Sequence, residues 1–532
     1  MTSFARGASG IVFASVLAAG VAWAQGGAKG AKEAEAMVAA KCASCHERTA
    51  QGGLARVSEQ RKTPEGWLMT LRRMEMWHGV QLTPDEERVL LKHLSDTLGL
   101  APAESAPFRY ALEQRPGTVE TPDDADLATF CARCHTYARV GLQRRDAHEW
   151  KKLVHMHLGQ WPTLEYQAMS RDRPWWALAS TEVAAKLGEK WPMQTPAWTE
   201  WRKKASPDLS GTWRIGGERP GKGQYEGRMT VKRTAADAYS VGVELSYADG
   251  STASGKGSAV VYTGYEWRGT VSIGKETVQQ VFAVADGGSR ITGRWFLEDE
   301  SAIGGDLRAV REKSAGIVSV QPPYIRAGET AKVTIAGAGL SGAAKLGDGV
   351  TIVKTVAAAP DRVVVEVRAA GNAAPGARAV SVGKTTAETP FVVFDKVDAV
   401  RVEPALDVAR TGGGGGPIPP VPTQFQAVGY LNGPDGKPAT DDDVRIGVMP
   451  ARWSLGNFDA EAEHMKDAEF GGSIDGSGLF TPAAAGINPD RGLFNNYANL
   501  TVKAKVGQGG AEVEGSAHLF VAPQRWNSPP IL

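Results

Sequence analysis

Cys42-Ala43-Ser44-Cys45-His46 returns 89 residues later as Cys131-Ala132-Arg133-Cys134-His135, and the two pentads use all four cysteines of the chain. Cys-x-x-Cys-His is the pattern of a covalent c-type haem site, in which both sulfurs bond to the porphyrin and the adjacent imidazole takes one axial position on iron. Two pentads predict two haem c groups, held by Cys42, Cys45, Cys131 and Cys134, with His46 and His135 as proximal ligands. A redox dithiol or half of a zinc site would also present a Cys-x-x-Cys pair. Neither accounts for the histidine fixed after each pair, and zinc would have to draw together two pairs far apart in the chain.

The first 24 residues carry one charge, Arg6, then an apolar run from Ile11 to Val21 and the tripeptide Ala22-Trp23-Ala24. This is the pattern of a cleaved secretory signal peptide over 1–24, with a mature chain starting at Gln25 in the periplasm, where such pentads receive haem. No later segment is long and apolar enough for a membrane span. The 532 residues hold 60 Lys and Arg against 59 Asp and Glu, a balance that argues against nucleic acid or a polyanionic surface as partner. At about 150 residues per domain the chain makes three or four.

Residues 25–205 contain all four cysteines, seven of the nine histidines and most of the tryptophans. Thr83-Pro84-Asp85-Glu86 is a capping box with proline at the first helical position, and Asp146-Ala147-His148-Glu149 opens a helix in the same way. The stretch predicts a mainly α dihaem cytochrome c domain of two modules, about 25–115 and 116–205. From there the pattern changes to short β runs divided by turns such as Ala248-Asp249-Gly250. Seven or so strands predict an antiparallel β-barrel over 206–314. Six or seven short strands predict an immunoglobulin-like sandwich over 315–396, and 397–532 reads as a second immunoglobulin-like domain with longer loops, one of them Gly412 to Pro422.

Each pentad is followed by a helix with a tryptophan and, seven residues on, a possible distal ligand: Trp67 and Met74, then Trp150 and His157. Positions i, i+4 and i+7 share one helix face, so Trp67, Leu71 and Met74 correspond to Trp150, Val154 and His157, and the two halves read as one repeated module. Met74 and His157 are the expected distal ligands. His78, on the same face as Met74, is a rival, with Met69 and Met76 pointing elsewhere; in the second module His155, Met156 and Met169 are the alternatives. Thioether sulfur raises a haem potential and a second imidazole lowers it, which makes the bis-histidine centre the lower-potential one.

Gly337-Ala338-Gly339-Leu340-Ser341-Gly342 matches the dinucleotide fingerprint in letters. No helix pattern follows it, so it reads as a turn between strands. His464 and His518 stand alone, and no paired carboxylates, nucleophile elbow or His-Glu-x-x-His motif supports a hydrolase.

Two Cys-x-x-Cys-His modules with these helices, a β domain containing Gly211-Thr212-Trp213, and two further β domains together resemble the α subunit of quinohemoprotein amine dehydrogenases. The resemblance implies that the barrel is lipocalin-like and that the chain belongs to a periplasmic αβγ heterotrimer deaminating primary amines oxidatively. It also implies a β-propeller subunit, a γ subunit bearing cysteine tryptophylquinone, and azurin or a small cytochrome c as soluble electron acceptor. With every cysteine committed to a pentad, this chain has no thiol for a cysteine-derived quinone, so it would be the electron conduit and carry no catalytic residue. A free-standing dihaem electron carrier or redox sensor with β docking domains is the alternative reading, and a dihaem peroxidase a third.

Overall fold

The fold comes from a computed structural model, and the structure describes residues 28–164, 173–416, 418–508 and 510–524. The expected signal peptide, Gln25, Met169 and Pro417 lie outside the described residues.

The N-terminal part is helical, in the order α1 (Ala28–Cys42), β1 (Gln60–Lys62), α2 (Pro64–His78), α3 (Pro84–Thr97), α4 (Pro102–Ser105), α5 (Arg109–Leu112), α6 (Ala125–Cys131), α7 (Ala138–Gly141), β2 (Gln143–Arg145), α8 (Ala147–Gln160), α9 (Trp175–Leu178), α10 (Ala184–Lys190) and α11 (Pro196–Trp201). Local chemistry explains where the long helices begin. The Thr63 hydroxyl caps α2 by accepting from the Gly66 amide, Pro64 occupies the first turn, and Gly79 in the left-handed region (φ 70°) stops the helix. Thr83 and Glu86 form the reciprocal capping box of α3. Asp146 caps α8 through the Glu149 amide at 2.8 Å. α2 and α8 each bury a tryptophan: Trp67 and Leu71 pack against Leu90 and Leu94 of α3, and Trp150 against Val183, Ala184, Leu187 and Trp191 around α10.

The two modules are joined by a ladder that sequence patterning did not foretell. β1 and β2 pair antiparallel, with Gln60 opposite Arg145, Arg61 opposite Arg144 and Lys62 opposite Gln143. Gln60-Arg61-Lys62 and Gln143-Arg144-Arg145 are themselves a repeat at an offset of 83, the offset that also relates Trp67 to Trp150. Arg61 is therefore paired with its own equivalent, and a local two-fold axis passes between Arg61 and Arg144. The surroundings obey it. The Lys62 amide and Trp67 indole both donate to the Leu98 carbonyl, at 2.9 and 3.0 Å, while the Arg145 amide and Trp150 indole both donate to that of Trp191, at 3.2 and 3.3 Å.

Next comes a closed eight-stranded antiparallel barrel: β3 (Gly211–Arg219), β4 (Gly223–Ala235), β5 (Ala238–Tyr247), β6 (Thr252–Tyr262), β7 (Glu266–Ile273), β8 (Glu276–Ala285), β9 (Arg290–Leu297) and β10 (Gly304–Arg311). Each strand pairs with the next, and β10 closes on β3 with Ala309 opposite Ile215. The lumen is filled by Trp213, Tyr225, Tyr239, Trp267, Phe282 and Trp295 among others. Their indole N–H groups are satisfied inside, Trp267 by Gln280 and Trp295 by the Tyr225 hydroxyl, both at 3.0 Å. The barrel interior is thus a packed core.

Residues 316–394 form a four-stranded sheet and two three-stranded sheets around Val333, Ile335, Val365, Val380 and Phe391. In the glycine-rich stretch the strand Thr330–Ala338 runs into a turn at Gly339 (φ 59°) and no helix opens, which supports the turn reading. Residues 399–522 again build three sheets over one core, with the short helices Ala460–His464 and Asp467–Phe470 in their connections. Among the described residues no helix is long and apolar enough to cross a membrane.

The barrel carries the helical part. Arg268 on β7 pairs with Glu65 in the first turn of α2 and, at 2.8 Å, with its neighbour Glu266. Arg294 on β9 donates to the Glu113 and Gln114 carbonyls at 3.0 and 2.8 Å, and the Thr263 amide donates to Asp96 at 2.8 Å.

Candidate haem centres

The pentads sit at equivalent places, each beginning on the last residue of a helix, Cys42 of α1 and Cys131 of α6. The chain then curls back: the His46 and Cys45 amides donate to the Cys42 carbonyl at 2.9 and 3.2 Å. None of the four cysteines is in a disulfide; Cys42 and Cys131 are half-buried, Cys45 and Cys134 exposed. Burial pushes the Cys42 thiol up and, with Asp124 nearby, the Cys131 thiol up to about 12.

In the second module the rings of His135 and His157 have centres 6.5 Å apart and planes 41° to one another. A metal–imidazole bond is about 2 Å long and the ring centre lies about 1 Å beyond the nitrogen, so two imidazoles on opposite sides of one metal have centres ~6 Å apart. The spacing therefore leaves room for one iron between them. Of the alternatives, His155 is exposed with its ring edge-on to Trp176 at 4.6 Å, Met156 is half-buried, and Met169 is outside the described residues.

Tautomers point the same way. His46 Nδ1 is 2.9 Å from the Ala55 carbonyl, His135 Nδ1 3.0 Å from that of Thr136, and His157 Nδ1 2.8 Å from that of Leu153. A carbonyl only accepts, so each Nδ1 carries the hydrogen and each Nε2 keeps its lone pair, the arrangement that orients a metal-ligating histidine. Burial lowers the pKa of His135 and of His157 against the hydrogen bonds to the Thr136 and Leu153 carbonyls, and the Arg139 charge pushes the same way as burial.

In the first module Met74 is half-buried on the face of α2 that holds Trp67 and Leu71, the position that the local two-fold relates to His157. His78 is exposed at the end of α2 and Met76 is exposed too. Met69 is engaged by guanidinium groups from both modules, Arg73 and Arg139, each with Nη2 3.0 Å from Sδ.

The centre of the domain is a carboxylate that sequence reasoning missed. Glu104 of α4 receives both Nη atoms of Arg61 at 2.8 Å, Arg144 Nε at 3.1 Å, the Ala101 amide at 2.8 Å and the Thr195 hydroxyl at 2.8 Å. Burial alone would raise its pKa, but hydrogen bonds from Arg61 and the charges of Arg144 and Arg61 hold it at about 2. The Gln-Arg-Lys and Gln-Arg-Arg repeat was the available signal for this pair, since two buried arginines require an anion.

Models of protein families match almost the whole described chain. Residues 32–198 match the haem-binding domain of the quinohemoprotein amine dehydrogenase alpha subunit, 206–312 its domain II, 314–395 its domain III and 400–531 its domain IV. The chain belongs to the quinohemoprotein amine dehydrogenase alpha-subunit family. It is thus a subunit of an amine dehydrogenase complex and carries a haem-binding domain. A comparison with curated proteins finds no match. Among solved structures, a redesigned β-barrel is similar at 17% identity over 20% of this chain and 92% of that one, with a TM-score of 0.18. The Bacteroides ovatus mixed-linkage glucan protein SGBP-B is similar at 12% over 58% and 60%, TM-score 0.19, and Drosophila N-cadherin EC1-3 at 10% over 46% and 85%, TM-score 0.21. Similarity this slight carries no argument about the fold or function of the alpha subunit.

Proposed function

We propose that this alpha subunit is the dihaem electron conduit of a periplasmic quinohemoprotein amine dehydrogenase. It takes electrons from a quinone on a partner subunit during oxidative deamination of primary amines and passes them to a soluble acceptor such as azurin or a cytochrome c. The observation that carries the reading is the His135–His157 pair, spaced for one iron, with both Nδ1 atoms tied to carbonyls. Cys42 and Cys45 would hold the first haem covalently, with His46 and Met74 offering donors to its iron; Cys131 and Cys134 would hold the second, with His135 and His157 as donors. Each haem, when bound, supplies a one-electron site.

The chain's own residues do the rest. Trp67 and Trp150 shut water out behind the ligand helices, and Glu104 locks the two modules at a fixed separation. A second imidazole in one module and a thioether in the other separate the two potentials, with the module of His135 and His157 the lower. The chain divides into the signal peptide 1–24, the dihaem domain 25–205, a lipocalin-like barrel over 206–314, and immunoglobulin-like domains over 315–396 and 397–532. A propeller β subunit and a γ subunit bearing cysteine tryptophylquinone complete the heterotrimer. Purification from the native source, with haem and quinone staining, tests this: the expected result is a haem-positive chain co-eluting with a quinone-positive one, its haems reduced by a primary amine. A lone haem-positive chain inert to amines overturns it.

A further inference from the structure

Lys62, Arg73 and Arg139 lie within electrostatic reach of one another between the modules, and no carboxylate among the described residues pairs with them. Lys62 is buried on β1, donates to the Thr70 hydroxyl at 2.7 Å and stands 5.3 Å over the Trp67 ring. Arg73 of α2 and Arg139 of α7 both turn Nη2 to Met69 Sδ. A thioether is a weak acceptor, and two guanidinium groups brought to one sulfur repel each other.

The acidic groups nearby are already engaged. Glu149 lies against Arg56, Arg145 and Lys152. Glu104 holds Arg61 and Arg144, and Glu120 accepts from the Tyr137 and Ala138 amides and the Tyr110 hydroxyl. The remaining titratable neighbours, His135 and His157, add no negative charge. Lys62 is buried and Arg73 and Arg139 half-buried with no carboxylate among the described residues beside them, so this cluster suits an anion from outside the chain.

Its placement says which anion. Arg73 adjoins Met74, and Arg139 follows His135 by four residues, so each module sends one arginine from near a proposed ligand and the two meet at Met69. We propose that Lys62, Arg73 and Arg139 form a shared carboxylate seat between the modules that takes propionate groups of both haems. The inference rests on the reading of two haems given above. It makes the three cations a link between the centres: their positive charge favours the ferrous state and raises both potentials.

The test uses the full haem-loaded subunit with haem content measured as pyridine haemochrome. Arg139→Gln should lower the midpoint potential of the bis-histidine haem, and Arg73→Gln that of the methionine-ligated haem, while Arg139→Lys and Arg73→Lys, which keep the charge, should stay near wild type. Two haems per chain with both potentials unmoved in the glutamine variants overturns the seat and leaves the dihaem reading standing; a wild-type chain without two haems overturns both. A second measurement needs no variant. With ¹³C-carboxyl-labelled haem, the wild-type infrared spectrum should show ionised propionates over about pH 5 to 8. A protonated-carboxyl band growing in over that range excludes the seat.

Discussion

Arg61 and Arg144 stand directly opposite each other in the β1–β2 ladder, equivalent residues of two modules, and both guanidinium groups bond the one carboxylate of Glu104. Two like charges on a symmetry axis are tolerated because one anion lies between them. Glu104→Gln removes the anion and leaves both arginines buried, which should cost about 3–5 kcal/mol, read by denaturant unfolding. The pH dependence has a definite sign. Glu104 sits at about 2 in the folded protein against an ordinary value near 4.3, so its stabilisation is complete above the ordinary value and disappears as pH falls toward 2. The acid limb of the stability profile should therefore be shallower in Glu104→Gln than in wild type.

The axial ligands can be separated spectroscopically. Met74→Ala should abolish the weak near-red charge-transfer band of a methionine-ligated ferric haem, and His78→Ala should leave it intact; survival of the band in Met74→Ala excludes Met74. His157→Ala should remove the bis-histidine signature of the other haem, whereas His155→Ala, whose ring rests on Trp176, should not.

Trp67 and Trp150 are both 1% exposed and hold equivalent places, so Trp67→Ala and Trp150→Ala should each cost about 3–5 kcal/mol in thermal unfolding. A large inequality would show that the two-fold relation of the backbone does not extend to packing.

Arg268 joins the barrel to α2. Arg268→Ala strands the buried carboxylates of Glu65 and Glu266, the latter already pushed by burial up to about 7 despite the Arg268 charge. A loss of about 3–5 kcal/mol is expected, and protease cleavage between the helical part and the barrel should become faster. Unchanged protease resistance would mean that the other contacts, such as Arg294 on the Glu113 and Gln114 carbonyls, suffice to hold the parts together.

Local chemistry made much of this legible. The pentads, the threonine and aspartate caps and the tryptophan-to-ligand spacing act over one or two helical turns, so they can be read from neighbouring letters. Seven barrel strands were visible for the same reason, as apolar alternation between glycine and aspartate turns. The eighth, β10, was not: it begins Gly304-Gly305-Asp306 and carries Arg308 and Arg311, and only its pairing with β3 and β9 makes it a strand.

The sequence by itself determined that this protein has two Cys-x-x-Cys-His modules, that no thiol is left over, and which helices could present a distal ligand. Tertiary structure alone brought the His157 ring to 6.5 Å from that of His135, set Glu104 between Arg61 and Arg144, and made Arg73 and Arg139 converge on Met69. The division is physical. Covalent and helix-capping chemistry acts between near neighbours, whereas a shared counter-ion or a ligand pair joins residues from separate elements and leaves no periodic trace in the chain.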